Sequence, residues 1–115
     1  MPTISFLQLF AAKQVNNAAV DTLFTVPESP ATSLARNVRV RFSNTTVLAA
    51  TIKAWAVPPA GTAGDSNVCL PTTSIAGNAY IDVDIPVLIA SGFLQAQAGT
   101  AASITATDLD GFIQS

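Results

Sequence analysis

Between Asn37 and Asn44 the chain alternates with period two: Val38, Val40 and Phe42 fall on one side, Arg39, Arg41 and Ser43 on the other. That period fits a pleated strand with one face in a core and the other in water. Further runs of high β preference follow at Leu23 to Val26, Val47 to Val57, Val68 to Leu70, Ala79 to Ile85, Phe93 to Ala98 and Ser103 to Thr107, with Pro, Gly, Asn and Ser clusters between them. The expected fold class is all-β: a single antiparallel β-sandwich, jelly-roll or Ig-like, with at most one short helix. At 115 residues the chain is long enough for one such core without metal or disulfide.

Asn44-Thr45-Thr46 has turn chemistry, so the runs on either side of it are expected to pair as a hairpin. The second run then directs Leu48, Ala50, Ile52, Ala54 and Ala56 inward and leaves Trp55 outward beside Lys53. In the Ala79 run, Ile81, Val83 and Ile85 face in while Tyr80, Asp82 and Asp84 face out. Ala90-Ser91-Gly92 reads as a turn, after which Leu94, Ala96 and Ala98 take the core side. The last run jumps from Ala106 to Leu109, which predicts a bulge near Thr107 and Asp108 and a closing bend at Gly111. Pro58 to Asn67 should be an exposed loop.

Residues 1 to 20 differ from the sandwich expected over 21 to 115. Ile4 to Phe10 is apolar, Ala11 to Val20 has no strand period, and a short helix would fit Leu7 to Lys13. An N-terminal arm that packs on a neighbour explains the apolar stretch as well as an extra strand does. On the arm reading Ile4, Phe6, Leu7, Leu9 and Phe10 are the partner-binding candidates.

Charge decides which functions remain. Charged residues make up 10% of the chain, against about 25% in ordinary soluble domains. A surface so poor in charge suits a protein largely covered by partners. The net charge of -2 offers no basic field for nucleic acid, and no apolar run approaches a membrane span. The start of the chain lacks a signal-peptide pattern, so synthesis in the cytoplasm is expected.

With no histidine, one cysteine (Cys69) and two lysines, the sequence lacks the usual general base, metal ligands and nucleophile pairs. No enzyme activity, cofactor or metal is expected. Asp108-Leu109-Asp110-Gly111 matches only a fragment of a calcium loop. Solvated strand-face carboxylates account for these residues and for Asp82 and Asp84.

The charges are unevenly placed. Residues 1 to 57 hold five basic and two acidic residues, a net +3, whereas residues 58 to 115 hold five acidic and no basic residues, a net -5. A partner-binding face of Arg39, Arg41, Lys53 and Trp55 meeting Asp82 and Asp84 of a neighbouring copy is one expectation. Pairing of the same groups across strands within one chain is the other.

The order of segments adds a family. Thr22-Leu23-Phe24-Thr25-Val26-Pro27, then Val38-Arg39-Val40-Arg41-Phe42-Ser43-Asn44-Thr45-Thr46, then Thr51-Ile52-Lys53-Ala54-Trp55-Ala56-Val57-Pro58, and later Leu94-Gln95-Ala96-Gln97-Ala98 before Gly111, resemble the small β-sandwich virion proteins of tailed bacteriophages. The likeness spans about residues 22 to 113; Gly111-Phe112-Ile113-Gln114 lacks the acidic residue with which that family often ends. Members look like capsid cement or decoration proteins in some phages and like neck, tail or fibre components in others, and none offers a catalytic site to carry over. The resemblance implies a virion protein made in the bacterial host cytoplasm, bound to the major capsid protein or another virion protein, as a homo-oligomer and by symmetry a trimer. A carbohydrate-binding module using Trp55 and Tyr80 as stacking platforms is the alternative from a different class.

Overall fold

The computed structural model describes residues 4–5, 8–29, 31–100 and 103–114, and for Ile4 and Ser5 the backbone alone. Among the described residues ten strands form two antiparallel sheets packed face to face, the β-sandwich that the alternation predicts. There is no helix among the described residues, so the helix expected over Leu7 to Lys13 is absent from 8 to 13, and Leu7 itself lies outside the description.

The first sheet is built on two long strands, β4 (Leu34–Asn44) and β10 (Ile104–Gln114). Against β10 lie β1 (Ile4–Ser5) and β2 (Lys13–Gln14), and against β4 lie β7 (Tyr80–Asp84) and β8 (Leu88–Ile89). The second sheet runs in the order β3 (Asp21–Thr25), β9 (Phe93–Ala98), β5 (Ala50–Val57), β6 (Val68–Ile75).

The alternation holds where it is clearest. Val38, Val40 and Phe42 from β4 are fully buried, as are Ile104 and Ala106 from β10, and they meet Ile52 and Ala54 of β5 and Leu94 and Ala96 of β9 in one cluster. Burying each large aliphatic or aromatic side chain contributes about 1.5–3 kcal/mol. Val83 and Ile85 complete the core from the other side of β4, and Tyr80, Asp82 and Asp84 face out, as the sequence predicts.

The expected hairpin between the Asn37 and Val47 runs is wrong. β4 and β5 belong to opposite sheets, and the chain crosses the sandwich between them. Asn44, buried at the end of β4, organises that crossing. Its Nδ2 donates to the carbonyls of Leu48 (2.8 Å) and Ile75 (2.9 Å), and its Oδ1 accepts from the N–H (3.0 Å) and hydroxyl (2.7 Å) of Thr46. Satisfying carbonyls from both sides of the crossing makes a sheet-to-sheet corner out of what looks like a hairpin turn. Leu48, expected in the core, stands in this corner instead and is exposed.

β4 and β10 pair along their whole length, with register shifts at Asp108/Asp110 and Asp110/Phe112. The first inserts Leu109 into β10. The second inserts a residue into β4 near Asn37, whose φ of 54° is the left-handed conformation that Asn tolerates. The bulge foreseen near Asp108 is therefore present. Gly111 does not close the strand as expected, since β10 continues to Gln114. Its φ of 139° and the approach of Leu9 and Val38 to within 3.0–3.2 Å of any added Cβ explain a glycine there.

The N-terminal segment also joins the sheet. Ile4 and Ser5 pair with Gln114 and Ile113, and Lys13 and Gln14 with Ala106 and Thr105. Val15 donates its N–H to Ile104 of the first sheet, while Asn16 accepts from Ala98 of the second, so this segment ties the two layers along one side.

Candidate interaction surface

Most of the charged groups fall on one sheet. β1, β2, β4, β7, β8 and β10 hold Lys13, Arg36, Arg39, Arg41, Asp82, Asp84, Asp108 and Asp110, while the four strands of the second sheet hold Asp21 and Lys53 alone. Register explains how the first group is used. Arg39 lies opposite Asp84 and Arg41 opposite Asp82 across the β4–β7 pair. Arg39 Nε donates to Asp84 at 3.1 Å; Arg41 donates to both Asp82 oxygens, at 2.8 and 3.1 Å.

These contacts perturb ionisation in the expected directions. The hydrogen bond from Arg41 holds the Asp82 carboxyl below its usual range, and Asp82 in return raises the Arg41 guanidinium. The arginines and aspartates offered as two halves of a contact between copies are thus partners within one chain. The second of the two expectations for these residues describes them. Lys53 does not join them, because β5 is in the other sheet.

Of the aromatic candidates, Trp55 is corrected and Tyr80 is only partly available. Trp55 shares the outer side of β5 with Lys53, but it is 6% exposed, with the Lys53 ammonium 5.5 Å from its ring centroid. The expected exposed platform is therefore covered. Tyr80 is exposed, yet the Arg41 guanidinium lies 3.9 Å from its ring centroid, and it sits in the opposite sheet from Trp55. The two rings form no common stacking site.

Among the N-terminal candidates, Phe10 is buried in the chain's own core and stacks on Phe24 at 6.1 Å between centroids, which corrects its placement as an outward contact. Leu9 packs against the same core, and its N–H donates to Asp108 Oδ2 at 2.7 Å. The other oxygen of Asp108 is buried with no hydrogen-bond partner, and burial raises this carboxyl above the usual range. The backbone of Ile4 is paired with β10; its side chain, Phe6 and Leu7 lie outside the described residues.

What remains for partners is the second sheet. Its outer side carries Thr22, Thr51, Gln95 and Gln97 around Lys53, with Gln95 donating to Thr22 at 2.9 Å. No carboxylate pairs with Lys53 among the described residues, whereas Lys13 is bonded to Asp21 at 2.9 Å. Sequence reasoning missed two further features, both at the ends of the sandwich. Val47 and Leu48 form an apolar tip, and an apolar recess lies between the sheets beside Pro58 and Val87. Among the described residues no group of three His, Cys, Asp or Glu is gathered as a metal site would require.

No protein-family model and no curated protein matches the chain. Solved structures do. A chain of the T13 viral particle of infectious bursal disease virus aligns over 98% of this chain and 30% of its own length, at 12% identity and a TM-score of 0.54. A chain from the Gx strain of the same virus aligns over 98% and 31%, at 14% identity and a TM-score of 0.49. What this likeness shows is the fold. The chain spans under a third of the length of the chains it matches.

Proposed function

We propose that this protein is a non-enzymatic structural subunit of a virus particle, acting as a cement or decoration protein that binds across the major capsid subunits of a tailed bacteriophage head. The observation that carries the reading is the division of charge between the two sheets. One sheet pairs Arg39 and Arg41 with its own Asp84 and Asp82, and the other, whose Asp21 is bonded to Lys13, presents a Thr- and Gln-rich side around Lys53, which has no carboxylate partner among the described residues. Covering such a surface desolvates little charge, which favours a broad protein contact over binding to a polyanion. The sandwich shared with a chain of a viral particle supports the same setting. So does the segment order that resembles tailed-phage virion proteins.

On this reading the subunits form a homo-oligomer, a trimer at local three-fold positions, and a place in the neck, tail or fibre is the variant within the same class. Mass spectrometry of purified particles, followed by imaging with an antibody to the chain, tests it. A regular distribution over the head is expected. Absence from particles overturns the proposal, and labelling confined to the neck or tail moves the protein to that site.

A further inference from the structure

Asp108 is the carboxylate that the Arg–Asp pairs leave out. Its Oδ2 accepts the Leu9 N–H at 2.7 Å, while its Oδ1 is buried and has no hydrogen-bond partner. The Leu9 side chain reaches the same strand three residues further on, where its Cδ1 lies 3.0 Å from the position a Cβ on Gly111 would take, beside Val38. Leu9 is thus seated on β10 at two points, by its backbone on Asp108 and by its side chain in the notch that Gly111 leaves open.

The two sides of this seat are held unequally. On the C-terminal side Phe10 is buried against Phe24, Lys13 and Gln14 pair with β10, and Lys13 is bonded to Asp21. On the N-terminal side the described residues offer the two-residue strand β1, paired with Ile113 and Gln114. An opening at Leu9 therefore stops at Phe10 and extends to β1.

Charge decides when the seat opens. An ionised carboxylate with one oxygen buried and unbonded carries an uncompensated cost that its neutral form largely avoids. Among the described residues no cation offsets it. Residues 8–12 carry no charge, Lys13 is bonded to Asp21, Arg39 and Arg41 on β4 are bonded to Asp84 and Asp82, and Asp108 itself lies opposite Val40. Its titratable neighbour on β10 is Asp110, whose charge opposes ionisation of Asp108 further. We propose that Asp108 and Leu9 form a pH-operated fastening for the N-terminal strand β1, closed while Asp108 is neutral and loosened once it ionises, when lifting Leu9 lets water reach the carboxylate. Burial holds this carboxyl above its usual range in the seated form, so the fastening is complete below the ordinary carboxyl value and is lost as pH rises through the seated one. This inference does not rest on the virion reading.

Amide hydrogen exchange of the whole protein tests it, followed residue by residue by NMR from about pH 3.5 to about pH 7 and corrected for the intrinsic rate at each pH. Protection of Leu9 and of β1 is expected to fall several-fold across the ionisation of Asp108, which its carboxyl carbon shift reports in the same samples, while amides of β4 and β5 keep theirs. Asp108→Asn, which keeps an acceptor for the Leu9 N–H but cannot ionise, should hold the acid-form protection at every pH. Leu9→Ala, which keeps the N–H and empties the notch, should move the Asp108 titration down toward the ordinary range, and it decides the matter if the Asp108→Asn chain does not fold. The proposal is overturned by Leu9 protection that stays level or rises with pH, by a fall shared with β4 and β5, by the same fall in Asp108→Asn, or by an Asp108 titration that Leu9→Ala leaves unmoved.

Discussion

Arg41 grips Asp82 by two hydrogen bonds across the β4–β7 pair while its guanidinium lies 3.9 Å from the centre of the Tyr80 ring. Three side chains on one outer face are thereby joined within a single chain. Charge reversal should act on folding before it acts on assembly. Arg41→Glu is expected to lower the melting temperature of dilute protein, and adding Asp82→Arg to the same chain to recover most of the loss. Calorimetry of the two variants checks this; recovery only at concentrations where copies associate would return the pair to a contact between subunits.

The same pair sets an acid limb. Because the folded-state value for Asp82 is depressed, its contribution is present above the unfolded carboxyl value of about 3.9 and is lost as pH falls through the lower folded value. Arg41→Gln should flatten the dependence of melting temperature on pH in that acid window and leave its shape near neutrality alone.

Asp108 works in the opposite sense. Burial raises its folded value above the unfolded one, so its favourable contribution is complete below the unfolded value and declines as pH rises through the folded value. Asp108→Asn keeps an acceptor for the Leu9 N–H and removes the buried charge. The variant is expected to melt no lower than the parent at pH 7 and to lose the parent's decline above pH 4.

Asn44 is the polar group on which the corner between sheets depends. Asn44→Ala leaves the buried Ile75 carbonyl without this donor and should cost about 1–3 kcal/mol. Asn44→Asp, which sets a carboxylate against two carbonyl oxygens, should be worse at neutral pH and partly relieved in acid. Denaturant titrations at two pH values measure both effects.

Gly111→Ala should destabilise by more than about 1 kcal/mol, since both the positive φ and the approach of Val38 oppose a side chain. Equal stability of the variant would show that the compensating bulges of β4 and β10 can relax.

Which residues face the core was legible from period two alone, because alternation follows from the pleat and needs no knowledge of neighbours. Val38, Val40, Phe42, Leu94, Ala96 and Ala98 are all where that rule puts them. Pairing was not legible, since strand neighbours depend on where the chain crosses between layers. Asn44-Thr45-Thr46 has the composition of a tight turn, and only the burial of the Asn44 side chain makes it a corner. Trp55 shows the same gap: parity gave its side of the strand correctly, but whether an outward side chain is covered depends on groups from elsewhere in the chain. The surface was legible in its average charge and not in its distribution, because the Arg–Asp ladder requires knowing that β7 lies beside β4. The apolar tip was hidden for a simpler reason. Val47 and Leu48 fit a strand's composition, and nothing local announces that the strand begins at Ala50.

Among the described strands, only β5 and β6 are both consecutive in the chain and hydrogen-bonded to each other. Every other pair joins segments separated by at least one intervening strand, and β3–β9 and β4–β10 close loops of roughly 60 residues or more. Such a topology places this protein among the slow-folding β domains, on a scale of milliseconds to seconds. During synthesis β4 has no partner in its sheet until β7 emerges, and the pair at its centre waits for β10. The apolar faces of β3 and β4 are therefore left open on the ribosome through most of translation, which makes this the interval of greatest exposure to aggregation.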